Sequence, residues 1–166
     1  LKLLLLIDSG GSMEPYQQLC SLLFQSVSKD GHFQDIKIYY FHNCIGKTLY
    51  LSPTLETDRS VSTQWVLNNT APDYRVIFVG DGEMSLDELV SGRNWYSASA
   101  SIDSGLDWLL KFRRRYAHTI WLHPQPRPQG SGYWTRSFEI LEQQFDLYRL
   151  SLDGLTQGIK KLMVNR

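Results

Sequence analysis

Cysteine is scarce in this chain, with two among 166 residues, and Cys20 and Cys44 lack the paired spacing of a zinc site. Both read as buried free thiols, a usage that fits a cytoplasmic address. An excess of charge of either sign is also missing. Lys plus Arg and Asp plus Glu number 17 each, so no net field recruits nucleic acid or an anionic membrane surface. The one basic cluster, Lys111 with Arg113, Arg114 and Arg115, follows the apolar positions of a helix and reads as its solvated C-terminal end. No apolar run approaches the roughly 20 residues that cross a bilayer, and the opening segment lacks the charged flank and cleavage site of a signal peptide. Internal repeats and low-complexity segments are absent too. At 42% hydrophobic residues the chain can bury a full core, and 1–166 is expected to form a single domain. It begins without Met and directly in a core strand, as a piece cut from a longer protein would.

What is present is concentrated at Leu3-Leu4-Leu5-Leu6-Ile7-Asp8-Ser9-Gly10-Gly11-Ser12-Met13. Five branched apolar residues suit a strand covered on both faces, and Asp8 falls where that strand leaves the sheet. Val76-Ile77-Phe78-Val79 running into Gly80-Asp81-Gly82 repeats the logic downstream. Ligands bind at the carboxyl edge of open α/β sheets, and two strands are expected to deliver a carboxylate each to it.

Helical spacing of Leu19, Cys20, Leu22, Leu23, Phe24 and Val27 predicts a first helix, with Pro15 near its first turn. Ile36 to Phe41 reads as a strand, and Thr48 to Leu51 as its short hairpin partner. Val61 to Asn68 reads as a short helix, Arg75 to Val79 as a strand, and Leu86 to Leu89 as a helical turn. Ser91 to Ser101, with Trp95 and Tyr96, reads as a surface loop in the site wall. Beyond it the pattern predicts a helix over Ile102–Tyr116, a strand over Thr119–Leu122 and a helix over Tyr133–Gln144. Leu147 to Leu152 reads as extended and Gly154 to Val164 as a last helix. Trp108, Trp121 and Trp134 sit in apolar periodic segments and read as core. Strands alternating with helices predict a doubly wound α/β fold: a mostly parallel sheet, helices on both faces and one short antiparallel edge strand.

Asp8, Ser12 and Asp81 make a coherent set of hard oxygen ligands, which select magnesium, manganese or calcium. Thr63 is a candidate further ligand from a middle loop, with Ser62 and Gln64 as its competitors. Around them Ser9, Gly10, Met13, Glu14 and Glu83 form the expected rim, together with Tyr16, Met84 and Trp95. His32, His42, His118 and His123 show no metal-ligand spacing, and His42 reads as a hydrogen-bonded residue at a strand end. The glycine-rich loop lacks the Lys of a P-loop and the third spaced Gly of a dinucleotide site.

Asp8-Ser9-Gly10-Gly11-Ser12 resembles the Asp-x-Ser-x-Ser signature of von Willebrand factor A domains, whose metal-ion-dependent adhesion site (MIDAS) adds a loop Thr and a later Asp. The resemblance is closest to bacterial CoxE-like proteins of this family, which are often associated with MoxR-type AAA+ ATPases. It is carried by IDSGGSM, YYFHNC, VIFVGDGEMS, TIWLHP and LSLDGL, spread over most of the chain. By position, Asp8, Ser12 and Asp81 match the family's metal residues, and Thr63 matches through a loop alignment. Gly10 departs from the general signature, which has its first Ser there, although Gly also resembles the CoxE-like pattern. One hydroxyl ligand is then missing, and a water or Ser9 has to compensate.

The resemblance implies a non-enzymatic docking domain. A divalent ion held by few protein ligands keeps an open position that an acidic residue of a partner can fill, and the implied partner is an AAA+ ATPase in a chaperone or maturation complex. Two alternatives remain. In a haloacid-dehalogenase-like phosphatase Asp8 would be the nucleophile and Asp81 with Asp87 would hold magnesium, but Gly10 stands where such enzymes carry the acid and base. The other alternative is a scaffold of the same fold that binds no metal.

Overall fold

The computed structural model describes residues 1–29, 31–85, 87–91 and 103–164. Seven strands form one sheet: β1 (Lys2–Asp8), β2 (Asp35–Phe41), β3 (Thr48–Tyr50), β4 (Ser60–Ser62), β5 (Arg75–Val79), β6 (Thr119–His123) and β7 (Asp146–Arg149). Five α-helices connect them: α1 (Gln17–Lys29), α2 (Thr63–Asn69), α3 (Gly105–Arg115), α4 (Tyr133–Gln144) and α5 (Leu152–Met163). The strand order is β4-β3-β2-β1-β5-β6-β7. From β2 through β7 neighbouring pairs are parallel, whereas β3 and β4 run antiparallel at the edge. The fold is α/β with a mixed, mostly parallel sheet.

β1 is the centre of this arrangement because both its faces are apolar. Leu4 and Leu6 join Val76, Phe78 and Trp121 in the core under α2, α3 and α4. Leu3, Leu5 and Ile7 join Ile77, Val79, Ile120 and Leu122 under α1 and α5. The two-residue period of strands divides one apolar run between two cores. In the first, Phe78 stacks on Trp121 at 5.4 Å between ring centroids and meets Phe112 edge-on at 5.7 Å.

Local chemistry sets the helix ends. Ser104 and Asp107 form a reciprocal capping box at the start of α3, which satisfies two backbone donors the helix cannot, so α3 begins at Gly105 rather than Ile102. The basic end of α3 ties elements together: Arg115 donates to the Thr70 carbonyl through Nε at 3.2 Å and Nη2 at 2.9 Å, and Arg113 donates to the Gln144 carbonyl that ends α4. Cys20 is buried, and burial pushes its thiol up to about 11, which keeps it protonated.

Four further boundaries differ from the sequence reading. Gly11–Tyr16 is a separate 3-10 turn holding Pro15, ahead of α1. Ser60–Ser62 is a second antiparallel edge strand, so Val61 lies in β4 rather than in a helix; three residues are too few for a period to show. Asp87–Ser91 is a π turn, and the rest of the 91–101 segment, Trp95 included, lies outside the described residues. Leu152 starts α5, because the Ser151 hydroxyl accepts the Gly154 N–H at 3.0 Å as an N-cap. Among the described residues no helix is long and apolar enough to cross a membrane.

α5 packs on the sheet by way of its glycines. A β-carbon on Gly154 would lie 1.9 Å from the Arg149 carbonyl oxygen, and one on Gly158 would lie 2.5 Å from Ile120 Cδ1. Exposed helical glycines gain about 1 kcal/mol on replacement by Ala; here the sign reverses. Gly154→Ala is expected to destabilise by about 1–3 kcal/mol through overpacking against backbone. Gly158→Ala should cost less, because a side-chain tip can move. Urea denaturation of both variants measures this, and a Gly154→Ala midpoint at or above wild type contradicts it.

Candidate metal-binding site at the carboxyl edge

Strand order reverses beside β1: the chain passes from β1 to β2 on one side and returns to β5 on the other. Such a switch point leaves a crevice at the carboxyl ends of the strands. Ile7 is in register with Val79, so the chain leaves the sheet at Asp8 and at Gly80-Asp81 side by side. Gly80 permits the close approach, since a β-carbon there would meet Asp8 Cβ at 3.1 Å and Trp121 Cζ2 at 3.3 Å.

Two of the four expected ligands, Ser12 and Asp81, meet here, and Asp8 ends the neighbouring strand. Ser12, exposed on the 3-10 turn, donates its hydroxyl to Asp81 Oδ2 at 2.5 Å. Asp8 and Asp81 are buried, at 3% and 2% exposure. Each carboxylate is oriented by a backbone donor: Asn43 N–H to Asp8 Oδ1 at 2.9 Å, and Glu83 N–H to Asp81 Oδ1 at 2.9 Å. Asn43 reaches Asp8 from a left-handed conformation, φ 57°, which Asn adopts more readily than most residues. Thr63 is fully buried as the first residue of α2, and its hydroxyl donates to the Gly46 carbonyl at 2.5 Å. Ser62, its competitor, caps α2 by accepting the Trp65 N–H at 2.9 Å.

The rim divides into surface and support. Glu14 is exposed, and Glu83 is half-buried beside Ser12. Met13 and Met84 turn into the two cores at 2% and 1% exposure, so neither side chain reaches a surface partner. Ser9 is also buried and donates to the Pro53 carbonyl at 2.7 Å, which anchors the following loop. Tyr16 is half-buried and Asp87 exposed. A shallow cavity of about 380 Å³ opens beside Ser12, with His42, Asn43, Glu83 and Tyr133 in its wall. His42 Nδ1 lies 2.9 Å from the Ser9 carbonyl oxygen. A carbonyl only accepts, so Nδ1 carries a hydrogen and donates it.

Two tryptophans read as core packing carry a further role. Trp121 donates its indole N–H to the Gly80 carbonyl at 2.9 Å, and Trp134 donates to the Asp81 carbonyl at 3.1 Å. Ser137, on the same helix as Trp134, donates to the Met84 carbonyl at 2.7 Å. Successive carbonyls of the Asp81 loop are thus held by β6 and α4. The indole donor of each Trp was visible in sequence, but not its acceptor.

The donor set is one of hard oxygens: two carboxylates and a hydroxyl, with a backbone donor on one oxygen of each carboxylate. Hard oxygens of this kind suit magnesium or manganese, whose remaining ligands would be water. Among the described residues no group of three or more His, Cys, Asp or Glu is placed to hold a metal ion. Comparison with protein families, curated proteins and solved structures finds no match to this chain.

Gly10 has φ 77° and ψ 175°, a region essentially confined to glycine. Introducing a second hydroxyl there by Gly10→Ser is therefore expected to cost about 1–3 kcal/mol of stability. Chemical denaturation measures it, and a variant as stable as wild type would show that the loop tolerates a side chain.

Proposed function

We propose that this domain is a non-enzymatic docking module of the von Willebrand A type. Asp8, Ser12 and Asp81 hold a divalent ion, magnesium or manganese, whose open position takes an acidic side chain of a partner protein. The observation that carries the reading is the meeting of Ser12 with Asp81, 69 residues away, at 2.5 Å beside Asp8 at the sheet's switch point. Thr63 stands one layer back in this reading: its hydroxyl, bonded to Gly46, shapes the middle loop or reaches the ion through water. The resemblance to CoxE-like proteins makes a MoxR-type AAA+ ATPase the proposed partner class, in a cytoplasmic chaperone or maturation complex. A phosphatase reading has less support, because the residue two after Asp8 is Gly10, which can neither donate nor accept a side-chain proton.

Calorimetric titration with magnesium and manganese is the test. Wild type is expected to bind one ion, and Asp81→Asn, which keeps the size of the side chain but removes its charge, to lose more than about tenfold in affinity. Asp8→Ala should lose binding while keeping its fold by circular dichroism. Equal ion affinity in wild type and Asp81→Asn places any bound ion elsewhere and overturns the reading.

A further inference from the structure

The cavity beside Ser12 has a chemistry of its own. Its wall includes Glu83, His42 and Tyr133; among the described residues that line it, none is Lys or Arg. His42 spends its N–H on the Ser9 carbonyl and so presents an acceptor, Nε2, when neutral. Tyr133 is 57% exposed and offers an aromatic face, to which a guanidinium is attracted. An anion, an acceptor and an aromatic ring together favour a cation, and a guanidinium supplies donors to match both. An ion of charge +2 would balance Asp8 and Asp81, leaving Glu83 to repel a partner that brought a carboxylate alone.

We infer that this cavity is a subsite for an arginine side chain that the partner carries next to its docking carboxylate. The inference rests on the docking reading above and names the partner class more closely: a segment with adjacent acidic and basic residues. The cavity volume of about 380 Å³ lies at the small end of the range for ligand pockets, which suits one side chain rather than a cofactor.

Two fluorescently labelled peptides, acetyl-Asp-Arg-amide and acetyl-Asp-citrulline-amide, differ in charge at nearly constant shape, and anisotropy with wild type in magnesium compares them. The arginine peptide is expected to bind at least about threefold more tightly. Glu83→Gln should remove that preference and Tyr133→Ala should weaken it, with folding of both verified by urea midpoint. Equal affinity for the two peptides in wild type, no binding of the arginine peptide, or an undiminished preference in Glu83→Gln overturns the inference. The two readings fail separately. Calorimetric ion binding without an arginine preference removes the subsite and leaves the ion, whereas a preference that survives in Asp81→Asn and without magnesium keeps the subsite and removes the ion-gated docking.

Discussion

The parallel pairing of β1 with β5 is the constraint on which the site depends. Because Ile7 faces Val79, the two chains leave the sheet at one level, and Asp8 and Asp81 emerge as neighbours. The pairing is held by apolar burial on both faces, from Leu3 to Ile7 on one strand and Val76 to Val79 on the other. A slip of one residue would turn every one of these side chains to the opposite core. The same burial that stabilises the sheet therefore sets the spacing of two buried carboxylates, which is where the chain's stability and its chemistry are joined.

Around that pair the structure invests in orientation. Each carboxylate has one oxygen bound to a backbone N–H, and indoles from two other elements hold the carbonyls of Gly80 and Asp81. Trp121 belongs at once to the aromatic core, stacked on Phe78, and to the loop above it. Packing and site geometry are thus coupled through single side chains. Preorganisation of this kind spares a bound ion the cost of ordering its ligands. It also fits a loop that contains a glycine in a conformation other residues avoid, since Gly10 lets the chain turn there without strain.

Much of this is legible in the sequence. β5 at Arg75–Val79 and α4 at Tyr133–Gln144 have the limits that periodicity predicts, because each is long enough to repeat its pattern and is bounded by turn residues. β4 was not legible: Ser60–Ser62 has no repeat to read, and pairing with β3 makes it a strand. Met13 and Met84 follow polar loop residues and so read as surface. Their burial depends on which helix or strand the loop folds over, and that is a long-range fact. The start of α5 could have been found, since Ser151 before Leu152-Asp153 is an N-cap pattern.

By itself the sequence determined the fold class, the strands that carry Asp8 and Asp81, and the oxygen chemistry of the loops after them. These follow from patterns local to a few residues: a branched apolar run, a period of 3.6 or 2, and a carboxylate at a strand's end. Only the tertiary structure decided that Ser12 meets Asp81, that Trp121 and Trp134 grip the loop between them, and that His42, in the cavity wall, turns one nitrogen to Ser9. Those are relations between segments 33 to 69 residues apart. Strand order and register create them, and neither is written in any one stretch of chain.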